Sequence, residues 1–186
     1  MKFDPLVKVV ENKLVRISDN FPISLENLNI VSVSEIEKGS SVVKGSVSAI
    51  LCPWSKVQME DGSYNEELLA KLRDYLKIME ENGDFAFIVP QGETSFSDVD
   101  RADVFLKSMV HTARRIKDCT SVLGFALPAE FLEKDAGLKP EEYSWAGWFI
   151  NEMSVKHAHY VYFAGKSLVK KYGLISNEIT NTLVLY

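Results

Sequence analysis

Apolar and polar positions along this chain follow two rhythms. Residues 65–82, NEELLAKLRDYLKIMEEN, place Leu68, Leu69, Leu72, Leu76 and Met79 at steps of three and four. That spacing gives one apolar stripe along a helix. Asn65 can cap its start, Glu66 and Glu67 suit the positive end of its dipole, and Gly83 ends it. Residues 97–119 predict a second helix, with Val104, Phe105, Met109, Ala113 and Ile116 on one side. Between and after these helices stand FAFIVP (85–90) and SVLGFALP (121–128), which are apolar without alternation. Strands of that kind have no solvated face and belong in a parallel sheet covered on both sides.

Shorter signals fill in the order. KLVRI (13–17) and PISL (22–25) around SDNF predict a hairpin. LNIVSV (28–33) is a β-type run, SVSAILCP (46–53) is a strand stopped by Pro53, and NTLVLY (181–186) is a last strand. SEIEKGSSVVKG holds a short helix with Ser34 as a candidate cap. Residues 140–173 are expected to be largely helical, in two pieces ending at Gly173. Strands alternating with amphipathic helices give an α/β fold with right-handed crossovers. The expectation is one domain, with a hairpin over residues 1–26 and the α/β unit over 27–186. Reactive groups in such folds collect at the carboxyl ends of the strands. Here those ends are Ser34-Glu35, Pro53-Trp54, Pro90-Gln91-Gly92-Glu93 and Pro128-Ala129-Glu130.

Composition narrows the partners. The 186 residues are 46% apolar and 25% charged, enough for one sizeable core. The formal net charge of −5 and the absence of a basic block longer than two residues argue against a nucleic-acid partner. No apolar run approaches the length of a membrane span. MKFDPLVKVV has no signal-peptide h-region, and the compartment, secretion included, stays open. Cys52 and Cys119 follow no metal spacing and read as buried thiols. His157 and His159, two apart, diverge on a helix, and His111 stands alone in its own. No metal or other cofactor is expected. GKS at 165–167 lacks the first glycine of a phosphate loop.

The segment order resembles the first half of a glycoside hydrolase family 5 barrel, the cellulase-like group of clan A. VVENKLVRISDNFPISLENLNIV is similar to that family's floor hairpin and first strand. VSAILCPW resembles its second strand, DGSYNEELLAKLRDYLKIMEENGDFAFIVPQ its second helix and third strand, and TSVLGFALPAEF its fourth. The fold this implies is a partial TIM barrel or an open sheet. The fourth strand of the family ends in Asn-Glu, so the resemblance places the catalytic acid/base on Glu130. It also implies a carbohydrate as partner, with Trp54 at a strand end and Trp145 above the cleft as sugar platforms and Gln91 and Glu93 at the rim. SWAGWFI also reads as a helix with Trp145, Trp148 and Phe149 packed on one side, and that reading outweighs the platform for Trp145 and Trp148.

The departures from the family pattern are specific. Ala49 stands where the family has an arginine, Gln91 where it has a histidine, and Ala129 where it has the asparagine before the acid/base. Its nucleophile lies on the seventh strand, and this chain is expected to stop near the fifth. A whole barrel takes roughly 250 residues, and five strands cannot close one. Three outcomes stand open: a fragment of a longer protein, pairing through exposed sheet edges, or an open sheet. The function implied is a retaining β-glycosidase-like domain, incomplete as an enzyme, or a catalytically silent carbohydrate- or protein-binding domain.

Overall fold

The computed structural model describes residues 4–11, 13–60, 62–92, 96, 98–136, 138, 144–172 and 183–186. Six parallel strands form the main sheet: β4 (Asn29–Ser32), β5 (Ser48–Pro53), β6 (Ala86–Gln91), β7 (Val122–Ala126), β8 (Val161–Ala164) and β9 (Leu183–Leu185). They lie side by side in chain order, the arrangement of an α/β barrel rather than of a doubly wound sheet. The helices between them are α1 (Val33–Glu37), α2 (Trp54–Val57), α3 (Glu66–Asn82), α4 (Val99–Ile116), α5 (Ala129–Asp135), α6 (Trp145–His157) and α7 (Lys166–Tyr172). A small antiparallel sheet of β1 (Val7–Val10), β2 (Lys13–Arg16) and β3 (Pro22–Ile23) precedes them. The fold is therefore a partial α/β barrel with a small floor sheet.

Alternation along each strand sorts the core into two layers. On β5 and β6, Ile50, Cys52, Ala86 and Ile88 face the helices, where Leu68, Leu72, Leu76, Phe105, Met109 and Ile116 meet them. Ala49, Phe87, Leu123, Phe163 and Val184 face the other way, onto Val7 and Leu14 of the floor sheet. Phe87 and Phe163 stack there with centroids 4.2 Å apart. Both layers are apolar, which is why the strands read as continuous apolar runs. Ile30, on the outer strand β4, is 66% exposed.

Two sequence expectations change. Residues 161–164 form a strand inside the stretch expected to be helical, so the sheet has six strands and residues 183–185 belong to the sixth, not the fifth. VYFA is four residues long and is followed after Gly165 by a helix, so its helical surroundings mask it. Its pairing with β7 and β9, and Phe163 on Phe87, settle its state. The GKS run accordingly lies where β8 turns into α7. The cap of α1 is Ser32, not Ser34: its hydroxyl accepts from the Ser34 N–H, while Glu35 accepts from the Ser32 N–H at 2.7 Å. The expected hairpin is present and gains β1 as a third strand.

The junction of α5 and α6 rests on one carboxylate. Asp135 accepts from the Ser144 hydroxyl at 2.8 Å and from the Trp145 and Ala146 N–H groups at 2.7 and 2.9 Å. Ser144 in turn caps Gly147. Asp135→Ala removes three hydrogen bonds at a helix start and is expected to cost about 2 kcal/mol. Urea unfolding of the two proteins checks this; a change below about 0.5 kcal/mol would show that Ser144 caps α6 unaided.

Candidate functional site

The carboxyl ends of β5, β6 and β7 lie side by side, with Pro53 in register with Gln91. Beyond β7 the chain passes through Leu127, whose N–H donates to the Phe163 carbonyl, and Pro128, the first cap position of α5. Proline fixes its φ near the value a helix start needs, so the turn from strand to helix is abrupt. Glu130 therefore stands in the first turn of α5, directly above the end of β7. It is half-buried.

The Glu130 carboxyl lies against the turn that follows β6. It accepts a hydrogen bond from the Gly92 N–H and one from its own N–H. Its Oε2 is buried and has no protein partner. A side chain at Gly92 would come within 2.8 Å of the Phe96 ring and 3.2 Å of the Glu130 carboxyl carbon. Gly92 thus keeps the space that the carboxyl occupies. Phe96 is buried and packs edge-on against Phe131 at 5.4 Å. Burial beside these rings, more than the nearby Glu133, raises the Glu130 pKa, against the two backbone hydrogen bonds that lower it. A carboxyl held in its protonated form more readily than usual can donate a proton.

The other residues singled out in the sequence occupy varied places. Gln91 ends β6 at the same rim and is half-buried. Glu93 lies outside the described residues. Trp54 is buried in the helix layer, with its ring against Phe105 at 5.7 Å. Its indole N–H points to Gln58 Oε1 at 2.6 Å and Ser108 Oγ at 3.1 Å, and the Arg101 guanidinium covers its face at 5.1 Å. Trp54, Gln58, Glu60, Asp100, Arg101 and Val104 border a groove of about 570 Å³ beside α2 and α4. Trp145 and Trp148 are half-buried on α6 and pack on Phe131, Trp148 parallel to it and Trp145 edge-on.

Sequence reasoning missed Gly92 and Phe96 as neighbours of Glu130. A glycine right after a strand end is the signal that points to such a close approach. Ala49 is buried on the inner face, and Ala129 opens α5 beside Glu130. His111 is tied on both sides: Nε2 to Glu66 at 2.7 Å and Nδ1 to Arg114 at 2.8 Å, so it joins α3 to α4. Among the described residues no group of three or more His, Cys, Asp or Glu side chains is arranged to hold a metal. No described helix is long and apolar enough to cross a membrane.

No family model and no curated protein matches the chain. Among solved structures, a glycoside hydrolase family 5 enzyme from Prevotella bryantii B14 superimposes over 82% of this chain and 51% of its own, with a TM-score of 0.53 and 13% identity. A GH5_18 from Bifidobacterium longum subsp. infantis aligns over 63% of this chain and 34% of its own, with a TM-score of 0.48 and 14% identity. The chain thus spans about half the length of the first and a third of the second. The likeness to the Prevotella enzyme is one of fold: this chain carries part of a family 5-like α/β barrel.

Proposed function

We propose that this chain is the acid/base-bearing part of a retaining β-glycosidase-like barrel, acting on a polysaccharide or oligosaccharide. The observation that carries this reading is Glu130: a half-buried carboxyl at the end of the fourth barrel strand, β7, with a raised pKa and one buried oxygen without a protein partner. A general acid must hold its proton near neutral pH until the leaving group takes it. Retaining hydrolysis also needs an ionised carboxylate about 5–5.5 Å from the acid. The second carboxylate is on this reading supplied by a further strand, in a longer chain or a partner. In this reading Gln91 and Trp145 serve the substrate at the rim, and Glu93 joins them. Trp54, with its indole nitrogen bonded inside the helix layer and its face under Arg101, serves the fold.

A second reading is favoured by Ala49, Gln91 and Ala129, which replace three polar groups that would orient sugar and carboxylates. Under it the domain binds carbohydrate or a protein without turnover. Hydrolysis of aryl β-glycosides and β-glucans decides between the two, using the chain alone and joined to a strand that carries a glutamate. The first reading expects turnover in the joined form and its fall by 10²–10⁴-fold in Glu130→Gln, the usual weight of a general acid. Equal rates for both proteins, or binding of β-glucan with no turnover in either, would leave the second. Glu130→Gln is also expected to fold slightly more stably at neutral pH. The raised pKa makes this group's contribution complete below its ordinary carboxylate range and lost as pH rises through the folded value.

A further inference from the structure

A carboxylate at the other end of the barrel has no role in the site described above. Asp84 follows Gly83, the left-handed C-cap of α3, and precedes β6, so it sits on the floor, at the opposite end of that strand from Gln91. It is 8% exposed. One oxygen accepts from the Gly45 N–H at 2.8 Å. The other, Oδ2, is buried and has no protein partner, and the same holds for the Ser46 hydroxyl oxygen beside Gly45. Two cavities of about 480 and 450 Å³ meet here, both bordered by Arg16, Gly83, Asp84 and Phe85. The second is also walled by Phe21, Ile23 and Val47, and Ser46 lies on it. Arg16 does not answer Asp84; its guanidinium is bidentate on Asp19 at 2.9 and 2.6 Å.

We propose that this floor groove is a binding site for a small organic cation, a primary ammonium carried on an apolar body. A buried carboxylate oxygen accepts only, so its partner must be a donor, and a charged donor forms the stronger bond. The χ2 torsion of an aspartate is soft but carries both oxygens together, so an ammonium that reaches Oδ2 does so at the expense of the Gly45 contact. Ser46 offers the ammonium a second acceptor. Phe85, Ile23 and Val47 offer its body an apolar wall, while the Phe21 ring is already covered by the Arg16 guanidinium at 5.5 Å. The cavity volume matches that of small-molecule sites. One carboxylate and one hydroxyl are too few oxygens for a calcium ion. The site stands apart from Glu130 and does not depend on catalysis there.

The test is titration of the whole chain with benzylammonium and with benzyl alcohol, followed by calorimetry and amide NMR. The expected result is saturable binding of the ammonium at least about tenfold tighter than the alcohol. Shifts should centre on Gly45, Ser46, Gly83 and Phe85. Asp84→Asn keeps an acceptor for Gly45 and should erase the preference, and Ser46→Ala should weaken it severalfold. Should Asp84→Asn fail to fold, the wild-type preference, the location of its shifts and Ser46→Ala decide alone. Binding of neither probe, equal binding of both, shifts centred elsewhere, or a preference that survives in Asp84→Asn would each overturn the proposal, and binding of neither would leave water as the partner of Oδ2.

Discussion

Gly124→Ala is expected to be among the most damaging single-methyl additions in this chain, costing about 4 kcal/mol or more. Gly124 lies in the middle of β7 at φ +158°, where the strand shifts register against β6. A Cβ there would collide with the Val161 carbonyl oxygen and come within 2.8 Å of the Val161 carbon and nitrogen. Those are backbone atoms of the neighbouring strand and cannot swing aside as a side chain could. Relief must come from parting β7 and β8, and with them the stacked Phe87 and Phe163. For a domain of this size each kcal/mol lowers Tm by about 2–4 °C, so the loss should exceed about 8 °C. Gly83→Ala is the control: it also requires a positive φ, at +75°, but an added Cβ there meets nothing within 4 Å. It should cost about 1 kcal/mol. Thermal unfolding of both variants checks the pair, and similar losses in the two would mean that the β7–β8 spacing yields easily.

The second large effect is acid sensitivity centred on His157. This residue ends α6, is 1% exposed, and has no hydrogen-bond partner at either ring nitrogen. It stacks on Tyr160 at 5.7 Å, with the His159 ring at 6.2 Å. Burial, then the charges of His159, Lys117 and Lys156, push its pKa down to about 4. The unfolded chain takes up this proton near pH 6.5 and the folded chain does not, so stability from His157 is complete above that pH. It is lost progressively as pH falls from 6.5 to about 4. A displacement of that size corresponds to about 3 kcal/mol. His159, whose pKa burial also lowers, acts in the same direction. Asp118, held low by Arg73, adds its own loss at lower pH, so the histidine effect is read as a difference. Urea midpoints between pH 4 and 7.5 should slope more steeply for the wild type than for His157→Leu. Parallel curves would show that His157 finds a partner when protonated.

The sequence carried the elements whose signals are local. The stripe Leu68, Leu72, Leu76 with Asn65 and Gly83 needed no tertiary information, because 3.6-residue periodicity and caps are properties of one segment. FAFIVP and SVLGFALP were legible as buried parallel strands because both faces are covered, and chain order then gave the barrel-like succession. The position of Glu130 after β7 was legible too, from Pro128 at the end of an apolar run.

Four things waited for the tertiary structure, each because it depends on residues far apart in the chain. VYFA became a strand through its pairing with β7 and β9 and the stack of Phe163 on Phe87. Trp54 went into the helix layer because Ser108, 54 positions on, lies within reach of its indole and Arg101 covers its face. The Glu130 pKa is raised by burial against the turn after β6, which a neighbouring strand brings up, although the Gly92 N–H there pulls it the other way. Asp84 became a buried, half-satisfied carboxylate because Gly45, 39 positions back, bonds one oxygen and leaves the other without a partner. Local patterns determined which segments form and in what order; the burial of each polar group, and with it the chemistry, was decided by which distant surfaces the sheet brought together.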